Sequence, residues 1–212
     1  MRSFAILLVG TFTLSGVASA QTSAAAPSYG YAEVIAQSAF GNVTSQSYGA
    51  EVGFNANSNL QVFGEFGRVA NAATSDLGVS AQKIVTALGS GFTVTSKEPI
   101  TFGLVGVRYL MASSSPLKPY VLAGGGIAKV KNDVVFSNGG TDVTANLAQF
   151  GVVLGTDLSG SETKPMLSLG AGAVWLVGGH FMVDLQYRFG RVFASDAGIT
   201  VHRAGVGIGV RF

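Results

Sequence analysis

Cysteine is absent from the 212 residues. That excludes a disulfide framework, a thiolate nucleophile and a lipid-anchor cysteine. Charge is scarce as well. Lys, Arg, Asp and Glu make up 11% of the chain, against roughly 25% in ordinary soluble domains. So little charge argues against a soluble enzyme with a solvated surface. The formal net charge of +2 is too small for a basic stripe, so nucleic acid is not an expected partner. The shortage of charge does not signal disorder, because 48% of the residues are hydrophobic and the mean hydropathy is +0.43. A clean helical membrane span is missing too. The longest uncharged stretch beyond the N-terminal region, 165–183, is broken by Gly170, Gly172, Gly178 and Gly179, and glycine is poor in a helix interior.

What is present begins with an export signal. Arg2 supplies a positive start, 4–16 a mostly apolar core, and Ala18-Ser19-Ala20 a small-residue cleavage pattern. Residues 1–20 are therefore expected to be a signal peptide and 21–28 a periplasmic N-terminal segment. An exported, apolar chain without a spanning helix has one main way to live in a bilayer. Every backbone group must be paired internally, and a closed β-barrel does that.

The 30 glycines are about twice the usual share, and they fall within runs of period two. Eight strands are expected, at 29–40, 47–55, 60–69, 99–110, 118–130, 166–176, 180–193 and 199–212. In the last, Ala204, Val206, Ile208, Val210 and Phe212 share one face, and Arg203, Gly205, Gly207, Gly209 and Arg211 the other. Short connections at 56–59, 111–117 and 177–180 lie at one end. Long ones at 70–98 and 131–164 lie at the other. This is the pattern of an all-β, eight-stranded antiparallel transmembrane barrel with short periplasmic turns and long extracellular loops, occupying 29–212. Outward aromatics fall in two girdles: Phe54, Tyr109, Tyr120, Trp175, Phe181 and Phe212 at the periplasmic level, and Tyr48, Phe66 and Phe189 at the opposite level. Each long loop is expected to hold a short amphipathic helix. One runs through Leu77, Ala81, Ile84, Val85 and Leu88, capped by Ser75 or Asp76 and ended by Gly89. The other runs through Val143, Leu147, Phe150 and Leu154, with strand as the alternative for its tail at Val152-Val153.

The run Val206-Gly207-Ile208-Gly209-Val210-Arg211-Phe212 resembles the closing strand of bacterial outer membrane barrels. Asp184-Leu185-Gln186-Tyr187-Arg188-Phe189-Gly190-Arg191 is similar to the penultimate strand of the small OmpA-type and opacity-type barrels, and Lys118-Pro119-Tyr120-Val121-Leu122-Ala123-Gly124-Gly125-Gly126 to their fifth. The resemblance covers nearly all of the chain beyond the signal. It implies the cell outer membrane as location, outer membrane lipids as partners and Phe212 as the signal read by the barrel-assembly machinery. The peptidoglycan-binding domain of full OmpA proteins is not expected.

Parity places Glu33, Glu51, Glu65, Asp184, Arg108, Lys129, Arg188, Arg203 and Arg211 in the lumen. An interior this narrow is filled by side chains, and charges there persist only if paired. A salt-bridged plug is the expectation, with a narrow channel or carrier for small or apolar solutes as the alternative. Inward glycines would admit water or make room for long side chains. On the outer face, Arg191 with His202 is the candidate contact for lipopolysaccharide phosphates, and Arg68 belongs to a separate one. Loops 70–98 and 131–164 are the candidate surface for a partner. Catalysis is not expected. His180 falls in a turn, and the serine that lipid A deacylase barrels place two residues from their histidine is missing at Ala204. Ser195 and Asp196 are close in sequence and could join His202 in a lipid-modifying enzyme, the least favoured reading. No metal-ligand spacing or phosphate-cradling loop stands out, so no cofactor is expected.

Overall fold

The structure is a computed structural model that describes residues 29–155, 158–194 and 198–212. The expected signal peptide, the segment 21–28, and Ser195 and Asp196 lie outside the described residues.

Among the described residues ten strands form in chain order: β1 (Gly30–Phe40), β2 (Ser45–Asn55), β3 (Leu60–Val69), β4 (Phe92–Lys97), β5 (Ile100–Leu110), β6 (Leu117–Asn138), β7 (Thr141–Asp142), β8 (Ser159–Val177), β9 (Phe181–Val192) and β10 (Ile199–Arg211). Eight of them close a ring, in the order β1, β2, β3, β5, β6, β8, β9, β10 and back to β1. Every neighbouring pair is antiparallel. At the seam Glu33 lies opposite Gly209. The chain end finishes the closure, because the Phe212 carbonyl accepts from the Tyr29 and Gly30 amides.

The ring is apolar on the outside. Val34, Val105, Ile127, Leu185 and Ile208 are 58–69% exposed, whereas their strand neighbours point inward and are buried. A water-soluble sandwich would hide those faces. The short turns are 56–59, 111–116 and 178–180. In the last of these, a three-residue loop between paired Val177 and Phe181, Gly178 and Gly179 take φ of 61° and 82°, a left-handed conformation open to glycine without steric cost. Phe54, Tyr109, Trp175, Phe181 and Phe212 are exposed at this end, and Tyr48 and Phe66 at the other. Tyr120 departs from the expected girdle: it points into the lumen and is 1% exposed.

The long-loop end is more ordered than the sequence suggests. Strands β6 and β8 run on past the barrel, with Asp133 opposite Ser159. Strand β4 pairs with this extension from Phe92↔Asn138 to Lys97↔Asp133. Helix α1 (Ser75–Leu88) lies over the resulting sheet, burying Leu77, Ala81 and Val85 with Val134 and Phe136. Its cap is Thr74, whose hydroxyl accepts from the Leu77 amide, rather than Ser75 or Asp76. Asp76 sits instead in the first turn, where a negative charge suits the helix dipole. The second expected helix is a 3-10 segment, Thr144–Phe150. Asp142 Oδ1 accepts from the Thr144 amide, and the Thr144 hydroxyl accepts from the Phe136 amide. Gly151, at φ 75°, ends the segment. The residues from Val152 to Leu154 form neither helix nor strand.

This outer lobe has its own core, so it is expected to loosen without opening the barrel. Ala81 is fully buried, and Ala81→Asp would bury an unpaired charge at a cost of several kcal/mol. The expected result is new cleavage within 70–98 by added protease, while the unheated protein keeps the gel mobility of a folded barrel. Loss of that mobility would show that lobe and barrel fold as one unit.

Candidate functional site in the lumen

The inward residues form three tiers. Nearest the short turns lies a layer of Tyr31, Phe63, Tyr120, Leu122, Val174 and Met182. Nearest the long loops lies a largely apolar one that includes Ile100, Phe102, Leu104, Val130, Val192 and Val201, with the buried hydroxyls of Ser47 and Ser168 among them. Between them acid and base alternate in one continuous ladder.

The ladder starts at Glu33 on β1, whose Oε1 is 3.2 Å from Arg108 Nη2. The same Nη2 is 2.6 Å from Glu51 Oε1 and 3.3 Å from Asp184 Oδ2. Glu51 Oε2 lies 2.7 Å from Arg188 Nη2, and Arg188 Nη1 lies 2.7 Å from Glu65 Oε2. Glu65 Oε1 ends the ladder 2.8 Å from Arg203 Nη1. All of these side chains are at most 1% exposed where they pair. Uncharged donors add to the set, while Glu33 Oε2 has no hydrogen-bond partner among the described residues. The Tyr31 hydroxyl donates to Glu51 (2.5 Å) and the Tyr120 hydroxyl to Asp184 (2.8 Å). Arg188 Nε donates to Gln186 Oε1, which also accepts from Gln37. Aromatic faces flank the cations: Arg108 lies 4.2 Å from the Tyr120 ring centre and 4.8 Å from that of Tyr31, and Arg203 lies 4.4 Å from that of Phe102.

Glycine makes this crowding feasible. A Cβ at Gly53 would overlap the Tyr31 ring, and one at Gly207 would press on Glu33 Oε2. The inward glycines therefore serve the long side chains.

Seven of the nine expected lumen charges join the ladder. Arg211 is half-buried and lines the mouth at the short-turn end. Lys129 is a correction, for it points outward and is exposed. The reason lies in β6. Residues 121–128 are all apolar or glycine, so the sequence shows no contrast between faces. Register with β5 decides: Leu122 lies opposite inward Arg108, and Lys129 opposite outward Thr101. The same shift turns Tyr120 inward. Tyr31, Tyr120, Gln37 and Gln186 are not among the expected members. Parity offers a signal for three of them, since Tyr31 and Gln37 lie two and four residues from Glu33 and Gln186 lies between Asp184 and Arg188.

At the outer face His202 sits among aromatics. It accepts from or donates to the Tyr187 hydroxyl at 2.6 Å and stacks on Phe40 at 5.6 Å. Arg191 Nη1 donates to the Thr200 hydroxyl at 2.6 Å. Arg68 points outward and is exposed. His180 is exposed in its turn.

A closed antiparallel ring, apolar outside, ringed by aromatics and plugged by charge, defines an outer membrane β-barrel. The chain belongs to the family described as outer membrane protein beta-barrel domain, whose model matches residues 4–212. Among solved structures it is similar to Neisserial surface protein A, with a TM-score of 0.56 at 15% identity over 86% of this chain and 96% of that one. A major outer membrane protein of Thermus thermophilus gives a TM-score of 0.54 at 12% identity, over 86% and 99%. The N-terminal barrel domain of Pseudomonas aeruginosa OprF gives 0.50 at 14% identity, over 88% and 100%. At these identities the likeness concerns the fold. No curated protein sequence matches the chain. The short-turn end is accordingly periplasmic and the outer lobe extracellular.

Removing one member of the ladder leaves a buried charge uncompensated, which costs about 3–5 kcal/mol. Arg188→Ala and Glu65→Ala are expected to lower the unfolding midpoint in bilayers clearly. Lys97→Ala, in the exposed outer lobe, should leave it nearly unchanged. Equal midpoints for all three would mean that the lumen is wet.

Proposed function

We propose that the protein is a closed, mainly structural outer membrane barrel, without catalysis, whose extracellular lobe makes contacts at the cell surface. The observation that carries this reading is the ladder capped by an apolar tier. An ion entering from the periplasm meets Arg108, held by three carboxylates, and then Arg188 and Arg203. Beyond them lie Phe102, Ile100 and Val192, each at most 1% exposed. Passage would require breaking the ladder and then crossing a largely apolar layer whose polar groups include the Ser47 and Ser168 hydroxyls.

A narrow pore is the second reading, and one feature favours it. A cavity of about 580 Å³ opens at the periplasmic mouth, lined in part by Asn55, Asn59, Gln61, Lys118 and Arg211, and it ends on Arg108. It is a vestibule under the closed-barrel reading. Single-channel recording in planar bilayers tests this. The closed barrel is expected to give no steady conductance steps, and reproducible steps from purified wild type would favour the pore.

The lobe carries exposed apolar residues suited to a surface partner through 70–98 and 131–164. Val79 is 54% exposed, Phe150 44% and Val153 88%. A lipid-modifying role is the least favoured, and an unchanged lipid A mass spectrum with and without the protein is its expected refutation. Export rests on the signal peptide at 1–20.

Assembly is proposed to depend on Phe212. Its ring meets Phe54 edge-on at 6.4 Å, while its backbone closes the seam. Phe212→Ala keeps the backbone bonds and removes the ring. Reduced assembled protein in the outer membrane is expected, measured as the heat-modifiable fraction in membrane extracts. Wild-type levels would leave the seam's backbone as the sole contribution of this residue.

A further inference from the structure

The outward turn of Lys129 creates an arrangement that its expected place in the lumen would have hidden. Cross-strand register sets Tyr48 on β2 opposite Arg68 on β3, Arg68 opposite Thr101 on β5, Thr101 opposite Lys129 on β6, and Lys129 opposite Thr163 on β8. One row thus crosses five strands on the outer face, beginning at the extracellular girdle residue Tyr48, with Arg68 next to the end of β3 and Thr101 next to the start of β5. The two cations are separated by two strand spacings, about 10 Å, with Thr101 between them. Both side chains are long enough to converge over that threonine.

The row has little else to satisfy it. Below it the same strands present Val105, Ile127 and Phe66, which are 61–69% exposed. Above it Lys131 lies 3.7 Å from Asp133 and is thereby matched. Among the described residues, Arg68 and Lys129 have neither an ion-pair nor a hydrogen-bond partner. An unmatched cation on a lipid-facing strand is costly in the hydrocarbon and tolerated at the interface. There the available counter-charge is a lipid headgroup. By contrast, Arg191 is tied to Thr200, and His202 to Tyr187, so the pair on β9 and β10 is already engaged within the protein.

We propose that Arg68 and Lys129, with the Thr101 hydroxyl between them, form a phosphate-binding site on the lipid-facing surface, occupied by a phosphorylated saccharolipid of the outer leaflet, that is, lipopolysaccharide. The level of the row, at the extracellular end, selects the outer-leaflet lipid over a periplasmic one. Arginine contributes two parallel donors to a phosphate, lysine a point charge. The site bridges β3, β5 and β6, beneath the point where β6 leaves the barrel for the outer lobe. A bound headgroup therefore braces the base of that lobe. The site is independent of whether the lumen conducts.

The test uses the full folded protein in bilayers of zwitterionic phospholipid alone, with lipopolysaccharide, with dephosphorylated lipopolysaccharide, or with phosphatidylglycerol. The readout is the thermal unfolding midpoint, with lipid retention counted by native mass spectrometry as a second measurement. Lipopolysaccharide is expected to raise the wild-type midpoint and to be retained. Dephosphorylated lipopolysaccharide should do neither. Arg68→Gln with Lys129→Gln should abolish both effects while leaving the midpoint in plain bilayers unchanged, since neither side chain is paired. Lys129→Arg, which keeps the charge, should preserve them, and so should Arg191→Gln. An equal rise with the dephosphorylated lipid, or in the double variant, overturns the site. Loss in Arg191→Gln alone moves the contact to β9 and also overturns it. An equal effect of phosphatidylglycerol overturns the assignment to the saccharolipid. If the double variant fails to fold, retention by each single variant decides: undiminished retention in both overturns the proposal.

Discussion

The rest of this structure depends on three arginines held out of water inside a ring of eight strands. Taking a guanidinium from water into a dry interior costs several kcal/mol, and its attraction to a carboxylate offsets that only when geometry is good and the remaining donors are met. The lumen meets the first requirement by alternation, while Arg108 Nε and Arg203 Nε and Nη2 have no hydrogen-bond partner among the described residues. Glu51 is shared by Arg108 and Arg188, and Glu65 by Arg188 and Arg203. Each internal member therefore faces an opposite charge on two sides. Because Glu33, Glu51, Glu65, Arg108, Arg188 and Arg203 come from β1, β2, β3, β5, β9 and β10, the ladder also ties six strands across the barrel. Strand β6 joins through the Tyr120 hydroxyl. Strand β8 contributes space: Gly170 lies against Arg188 and Gly172 against Tyr120. A strand with no side chain in the ladder is as necessary to it as those that supply charge.

The same constraint orders the lumen from end to end. Aromatic rings lie against the guanidinium faces, so the planes of Arg108 and Arg203 are covered by π-clouds rather than by water. Past Arg203 most inward positions are apolar, Phe102 among them, and Ser45 and Ser47 are the buried polar ones on β2. A polar middle sealed on its extracellular side by an apolar tier is a filled core, laid inside out relative to a soluble barrel, with the charge at the centre and the greasy surface outside. The outer lobe repeats the soluble arrangement, with its own apolar core between α1 and the extended sheet. The molecule thus carries two cores of opposite design, joined by the continuous strands β6 and β8.

The sequence shows the fold wherever side chains alternate in character. Strands β9 and β10 interleave Leu, Tyr, Val and Ile with Asp, Gln, Arg and Gly, and their inward charges sit where parity places them. It fails wherever that contrast is missing. Across Val121–Ala128 both faces are apolar or glycine, so charge alone assigns Lys129 to the lumen and the amphipathic ring alone assigns Tyr120 to a girdle. Both assignments follow sound local rules, and both yield to pairing with β5, a long-range fact that no window of the chain contains. The outer lobe is legible in part. The apolar spacing of α1 marks a helix, yet strand β4 stays hidden because its Thr-Val-Thr-Ser alternation has no meaning until the extension of β6 is there to receive it. In the ladder, the charges are readable and the connectivity is not, since which arginine reaches which carboxylate depends on strand stagger around the ring.

That connectivity also explains why the ladder is not made of ion pairs alone. Four carboxylates, those of Glu33, Glu51, Glu65 and Asp184, face three guanidinium groups. With every acid ionised the tier would hold one surplus negative charge. Neutral donors are concentrated where the acids crowd: Tyr31 on Glu51 and Tyr120 on Asp184, both beside Arg108, which serves three carboxylates by itself. At the other end Glu65 is paired by two arginines and receives no tyrosine. The two tyrosines, the least expected members of the site, thus stand at the end where cations are outnumbered. Their rings and hydroxyls act twice at that end, by covering the face of the overcommitted arginine and by donating to Glu51 and Asp184, two of the three acids it pairs with.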